Sequence, residues 1–248
     1  MAGTALRGRL TWQVAAVRSV AEETPSVRTI DLAVPDWAGH RAGQHLDVRL
    51  TAEDGYRAER SYSIASAPGE HVAITVERLA DGEVSPYLTE ELQVGDEIEI
   101  RGPIGGYFVW DGDDQATPLL LVAGGSGVVP FRSILRFREH LGGTVSVRLL
   151  YSVRSLEDVI YRAELDQYHG GVELIYTLTR HQPPGWTGHA GRVDKAMLAE
   201  VAWPAEHEPL AFVCGPTPFV ETVAESLVSL GYPPQREKTE RFGGMGES

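Results

Sequence analysis

Pro118-Leu119-Leu120-Leu121-Val122-Ala123-Gly124-Gly125-Ser126-Gly127-Val128-Val129-Pro130 lies near the middle of the 248-residue chain and marks a change of period. Pro118–Ala123 is a continuous apolar run of strand length, and a helical segment over Val129–Leu141 follows the glycines. An unbroken apolar strand is buried on both faces, which is the habit of parallel sheets covered by helices. The pattern repeats downstream. Strands are expected at Val145–Tyr151, Val172–Thr179, Leu210–Cys214 and Glu237–Arg241. Helices are expected at Leu156–Tyr168 and Pro218–Leu230, with a loop and a short helix before Leu210.

Upstream the period is two. Leu10–Val20, Ser26–Val34, Gln44–Thr51, Arg57–Ser66, His71–Arg78 and Asp96–Arg101 are rich in Val, Ile, Thr and Tyr. Leu46-Asp47-Val48-Arg49-Leu50 and Ile98-Glu99-Ile100 alternate apolar and charged residues, so each strand has one wet face. Asp54-Gly55, Pro68-Gly69, Asp81-Gly82 and Gly95-Asp96 separate them as turns. Six short strands at this spacing predict an antiparallel barrel interrupted by one helix over Ser85–Leu92. The acidic stretch Asp111–Thr117 is the expected hinge, dividing a barrel domain (1–113) from an α/β domain (114–248).

Composition narrows the chemistry. With 42% hydrophobic and 23% charged residues the chain is an ordinary globular protein. The single cysteine, Cys214, allows no internal disulfide and no four-cysteine metal or iron–sulfur site within these residues. The eight histidines have no paired ligand spacing, and His169, His181 and His189 lie in polar loop sequence, so no metal is expected. The net charge of −13 disfavours nucleic acid and anionic membrane as partners. Met1–Arg9 lacks the apolar core of a signal peptide and no run reaches membrane-helix length, so a cytoplasmic monomer is expected.

Several motifs suit nucleotides. In Arg60-Ser61-Tyr62-Ser63-Ile64-Ala65-Ser66, alternation puts Arg60 and Tyr62 on one face and Ser63 on the other or in the turn. An Arg neutralises pyrophosphate, a Tyr stacks on a flat ring and a Ser hydroxyl bonds a ring nitrogen, although an ordinary half-buried strand reads the same way. Gly82-Glu83-Val84-Ser85 precedes the lone barrel helix, either as an anion site or as a plain capped helix. Gly102-Pro103-Ile104-Gly105-Gly106-Tyr107-Phe108 is glycine-dense after a strand, a turn that allows close backbone approach. In Gly124–Pro130, small residues leave room for a pyrophosphate at a helix N-terminus, without the usual Gly-x-Gly-x-x-Gly spacing. Cys214-Gly215-Pro216 ends a parallel strand at the carboxyl edge, where open sheets bind ligands; a lone buried Cys is otherwise a packing residue.

Taken in order, Arg60-x-Tyr62-Ser63-x-x-Ser66, Gly82-x-x-Ser85, Gly102-Pro103-x-Gly105, Gly124–Pro130, Cys214-Gly215-Pro216 and Glu240-Arg241-Phe242 resemble the ferredoxin–NADP reductase superfamily, from about Leu10 to Phe242. The layout is closest to stand-alone bacterial reductases and to reductase modules of multicomponent oxygenases. The resemblance implies a six-stranded Greek-key FAD-binding barrel followed by a parallel-sheet NAD(P)-binding α/β domain. It implies FAD contacts from Arg60, Tyr62, Ser63, Val76, Arg78, Gly82, Val84, Ser85 and Phe242. It implies NAD(P) contacts from Gly124, Gly125, Ser126, Gly127, Pro130, Arg154, Arg180, Cys214, Gly215 and Pro216. Ser63, Cys214 and Glu240 take the catalytic positions: Ser63 near the reactive flavin nitrogen, Cys214 beside the nicotinamide, Glu240 handling protons or electrons.

The implied activity is hydride transfer from NADPH or NADH to FAD, then one-electron delivery to a separate protein, whether ferredoxin, haem, molybdenum or oxygenase component. Arg154 and Arg180 lie where a 2′-phosphate would be read, which tilts the coenzyme toward NADPH. Two rival readings are a flavin reductase that releases reduced flavin and a non-catalytic FAD-binding subunit.

Overall fold

The computed structural model describes residues 10–243. Strands β1 (Gln13–Thr24), β2 (Val27–Ala33), β3 (His45–Thr51), β4 (Arg57–Ser63), β5 (Val72–Glu77) and β6 (Glu97–Ile104) form an antiparallel sheet in the order β4-β3-β6-β1-β2-β5. The sheet closes where Ile64, just past β4, bridges to Ile74, and Ala65 N donates to Ala73 O at 2.7 Å. Alternation sorts the faces as the sequence predicts. Leu46, Val48, Ile98 and Ile100 are buried, whereas Arg49 reaches across the outer face to Glu99 at 2.9 Å.

In place of a helix over Ser85–Leu92 there is a single π-helical turn, Tyr87–Glu91. Pro86 has no N–H to donate, and Thr89 Oγ1 donates to the Ser85 carbonyl at 2.7 Å, occupying an acceptor a regular helix would use. The turn closes instead through Leu92 N donating to Tyr87 O at 3.0 Å, which lets Leu88 and Leu92 plug the barrel end.

Six parallel strands follow: β7 (Leu119–Gly124), β8 (Val147–Val153), β9 (Val172–Leu178), the two-residue β10 (His189–Ala190), β11 (Leu210–Pro216) and β12 (Glu237–Phe242), ordered β10-β9-β8-β7-β11-β12. Helices α1 (Val129–His140), α2 (Arg162–Leu165), α3 (Lys195–Val201) and α4 (Thr217–Ser229) connect them. Leu119, Leu121 and Ala123 share a core with Phe131, Ile134 and Leu135 of α1; Leu120 and Val122 face Leu198 of α3 and Val220 and Val223 of α4. Both faces are therefore covered, as the unbroken apolar run of β7 requires. No helix of the described residues is long and apolar enough to cross a membrane.

The expected helix Leu156–Tyr168 is broken in two. A 3₁₀ turn spans Leu156–Asp158, Tyr161 takes φ 60°, and only Arg162–Leu165 is α-helical. Val159, Ile160 and Tyr161 are all buried, and three consecutive residues cannot share one face of a helix. Tyr161 is held by its hydroxyl against Thr75 of the barrel.

One hydrophobic cluster runs through both sheets, joining Ala42, Ala65, Ala73, Phe108 and Trp110 to Leu121, Phe131 and Phe212. Phe108 sits edge-on to Phe212 with ring centroids 5.2 Å apart. Polar links sew the same boundary: Ser133 Oγ donates to Ser66 O at 2.6 Å, Tyr107 Oη to Glu237 O at 2.7 Å and Lys238 Nζ to Val109 O at 2.6 Å. The segment expected as a hinge is itself tied, since Arg41 pairs with Asp111, and Asp114 accepts from the Ala116 and Thr117 amides at 2.9 and 3.2 Å.

Candidate active site

The chain reverses direction across the second sheet between β7 and β11: β8 and β9 lie on one side of β7, β11 and β12 on the other. Loops leaving adjacent strands at such a point diverge and open a crevice. The two segments are the loop Gly124–Pro130 and the end of β11, Cys214–Pro216, which the register brings together by pairing Cys214 with Ala123. Gly125–Val128 forms a 3₁₀ turn and Pro130 falls in the first turn of α1. A Cβ on Gly127 would stand 2.1 Å from Cys214 O and 2.9 Å from Gly215 N, so only glycine lets the turn lie backbone against backbone. Gly124 and Gly215 both pack against the Phe219 ring.

At the same edge, Cys214 pairs with Glu240 and Pro216 with Phe242. Cys214 Sγ is 4.0 Å from Glu240 Oε2. Burial, and then the nearby carboxylate, pushes the Cys214 thiol up, so it stays protonated. Burial pushes the Glu240 carboxyl up to about 7. Its other oxygen, Oε1, is 3.7 Å from Nδ1 of His45 in the barrel. His45 lies directly opposite Ser63 in the β3–β4 register. The fold thus gathers Ser63, Cys214 and Glu240, the three expected catalytic residues, from β4, β11 and β12 at the line where barrel meets sheet. Phe242 is half-buried against the shared core next to them.

His45 is the member that sequence reasoning missed. Alternation in Gln44-His45-Leu46-Asp47 places His45 on a polar face, but nothing local connects it to a residue nearly two hundred positions later. Burial lowers its pKa, partly opposed by Asp47.

On the outer side of the barrel, Arg60 and the Gly82–Ser85 turn also come together. Arg60 Nη2 donates to Glu83 Oε2 at 2.6 Å, and Tyr56 Oη donates to Glu83 Oε1 at 2.6 Å. Those two bonds hold the Glu83 carboxyl below its usual range. Tyr62 is half-buried, which pushes its phenol up to about 12, with Arg60 close enough to oppose the shift. Ser85 does not cap the following turn as its spacing suggests: its Oγ accepts from Leu79 N at 3.0 Å, folding the loop back onto β5. A Cβ on Gly82 would lie 2.7 Å from that Oγ, which explains the glycine without any ligand. Val76 and Val84 are fully buried, so their side chains present no face to the crevice. Arg78 pairs with Glu90, away from Arg60.

Arg154 and Arg180 meet at the carboxyl ends of β8 and β9, where the Arg180 and His181 amides donate to Arg154 O at 2.9 and 3.0 Å. Both side chains are exposed, and neither forms an ion pair among the described residues.

A closed antiparallel barrel joined through one core to a parallel sheet, with a glycine-lined crevice at the switch point, is the layout of a two-domain flavin and nicotinamide oxidoreductase. Residues 14–109 match the oxidoreductase FAD-binding domain and residues 121–225 the oxidoreductase NAD-binding domain. The chain is 34% identical over 233 residues to the glycine betaine monooxygenase reductase subunit of Chromohalobacter salexigens, covering 90% of this chain and 62% of that protein. It is 31% identical over 210 residues to NADH-cytochrome b5 reductase 1 of Aspergillus terreus, covering 79% and 69%. Among solved structures, the FAD/NAD-binding domain of a nitric oxide dioxygenase from Vibrio cholerae superposes with a TM-score of 0.83 at 26% identity, covering 93% of this chain and 98% of that one. The chain spans less than two thirds of the bacterial subunit's length. It belongs to the ferredoxin–NADP reductase superfamily and carries that family's FAD-binding and NAD-binding domains.

The residues fit those cofactors unevenly. The Gly127 contact, backbone on backbone, leaves the amides of the 3₁₀ turn at a helix N-terminus, where a pyrophosphate is stabilised. On the flavin side, Glu83 already occupies Arg60, so any phosphate reaching that guanidinium would have to compete with a carboxylate.

Proposed function

We propose that the protein is an NAD(P)H-dependent flavoprotein reductase that accepts hydride on FAD and passes electrons singly to a separate redox protein. The observation that carries this reading is the meeting of Cys214, Glu240, His45 and Ser63 where the two nucleotide-binding domains join. Flavin supplies the step from two-electron to one-electron chemistry; the protein supplies orientation and a dry, polar-edged site. Ser63 would offer its hydroxyl to a bound flavin, Cys214 would give the nicotinamide a neutral, polarizable neighbour, and Glu240 would hold a titratable proton for both. Phe242 would cover the bound flavin.

Arg60 and Tyr62, with the backbone of Val76, Arg78, Gly82, Val84 and Ser85, line the FAD. The turn Gly124–Gly127 with Pro130, and the turn Cys214–Pro216, hold the nicotinamide dinucleotide. Arg154 and Arg180, whose guanidinium groups form no ion pair among the described residues, would be available to a 2′-phosphate, favouring NADPH. The names of the two relatives, a monooxygenase reductase subunit and a cytochrome b5 reductase, support an acceptor that is itself a protein. The division between domains is placed at 113/114, and a cytoplasmic monomer suits the acidic chain.

Anaerobic mixing of FAD-loaded protein with NADPH or NADH tests the proposal. Rapid bleaching of the flavin absorbance by at least one coenzyme is expected; a protein that binds FAD but is bleached by neither is not a reductase.

A further inference from the structure

Among the described residues, His45 and Glu240 form a titratable contact that crosses from β3 of the barrel to β12 of the sheet. Nδ1 and Oε1 are 3.7 Å apart, and each side chain keeps about a quarter of its surface exposed. That distance is too long for a direct hydrogen bond but well inside the range at which one charge alters the other. Asp47 acts on His45 as well, opposing the effect of burial. Asp47, next on the same strand face as His45, is committed to Arg101 at 2.6 Å and to Ser61 at 2.7 Å. On the β11 side Glu240 lies 4.0 Å from the Cys214 thiol.

We infer that His45 and Glu240 titrate as one coupled pair, with His45 the positioning residue whose charge sets when the Glu240 carboxyl gives up its proton. The inference rests on the reading of Glu240 as the proton-handling group beside the flavin. Burial moves the carboxyl up to about 7 and pushes the imidazole down. Titratable groups this close in space lose protons in two steps that belong to the pair. At acid pH both are protonated. At intermediate pH the pair holds one proton. At alkaline pH neither holds one. A barrel residue thereby reads the charge of a sheet residue, so the proton supply at the site depends on both domains.

The test is a pH titration of the His45 imidazole by 1H–15N correlation in the full chain, wild type and Glu240→Gln, with and without FAD. In wild type the curve is expected in two phases. In Glu240→Gln it should collapse to one phase, and its midpoint should fall by roughly half a pH unit or more because the carboxylate that favoured the imidazolium is gone. An unchanged curve overturns the inference. The reciprocal variant His45→Gln should reduce the Glu240 carboxyl titration, followed by 13C labelling, from two phases to one; this arm decides the matter if Glu240→Gln does not fold. A flavin reduction rate whose pH profile loses one inflection in His45→Gln would separate this role from simple packing. The protein-only titrations stand apart from cofactor uptake: failure to bind FAD would sink the flavoprotein reading while leaving the coupling measured.

Discussion

The α-carbon hydrogen of Gly127 points at the carbonyl oxygen of Cys214, at a distance where a methyl group would come to 2.1 Å. Neither partner can yield, because both are backbone: Cys214 lies in β11, and Gly127 in the turn that leaves the adjacent parallel strand β7. Gly127→Ala should cost roughly 1–3 kcal/mol in stability through overpacking. It should also abolish reduction by either coenzyme while FAD stays bound. Thermal unfolding and flavin absorbance of the same sample check both; coenzyme reduction at the normal rate would show that this contact does not shape the nucleotide crevice.

The competition between Glu83 and a cofactor phosphate for Arg60 has opposite consequences at its two ends. Arg60→Ala should weaken FAD binding by roughly 10- to 100-fold through loss of a charge-assisted bond. Glu83→Gln should instead tighten it, since the guanidinium no longer has to leave a carboxylate. Fluorescence titration of apoprotein with FAD reads both. If Glu83→Gln binds FAD more weakly than wild type, the carboxylate is helping to hold Arg60 for the cofactor rather than competing with it.

Glu237, at the start of β12, has one carboxyl oxygen buried with no hydrogen-bond partner among the described residues, and burial pushes its pKa up to about 7. In the unfolded chain it titrates near the ordinary carboxylate range. Below that range both states are protonated, so burial costs nothing extra. Between that range and about 7 only the unfolded chain releases its proton, so stability falls as pH rises, and above about 7 the loss is complete. Glu237→Gln keeps the neutral shape and should remove this slope. Urea unfolding should show the variant close to wild type at pH 4 and more stable at pH 8. A wild type equally stable at both values, after the other carboxylates are accounted for by the variant, would contradict it.

Arg154 and Arg180 are joined through backbone bonds yet keep their side chains free of ion pairs among the described residues. Arg180→Ala should raise the KM for NADPH about 10-fold and leave that for NADH within about 2-fold, the loss of one phosphate contact. Steady-state rates with both coenzymes decide it. Equal effects on the two would place Arg180 away from the 2′-phosphate.

Much of this arrangement was legible in the sequence because its signals are local. Leu119–Ala123 followed by glycines fixes a parallel strand and its helix, and the alternation around Val48 and Ile100 fixes a barrel wall. The order of Arg60-x-Tyr62-Ser63, Gly124–Pro130 and Cys214-Gly215-Pro216 then ties the two halves to one chemistry. What the sequence hid depends on contacts far along the chain. Val159-Ile160-Tyr161 looks helical by composition, and only the barrel's Thr75 and the core around Tyr151 reveal why it straightens. Ser85 has the spacing of a cap, but Leu79 takes its hydroxyl first. His45 gains its meaning from Glu240, which no window along the chain contains.

The single core running from Ala65 and Phe108 to Phe131 and Phe212 also limits how the molecule can move. A joint filled with interlocked aromatic rings cannot open and shut like a jaw without exposing oil to water. What freedom remains belongs to the rim, where Phe242 lies half-buried on the outermost strand, paired with Pro216.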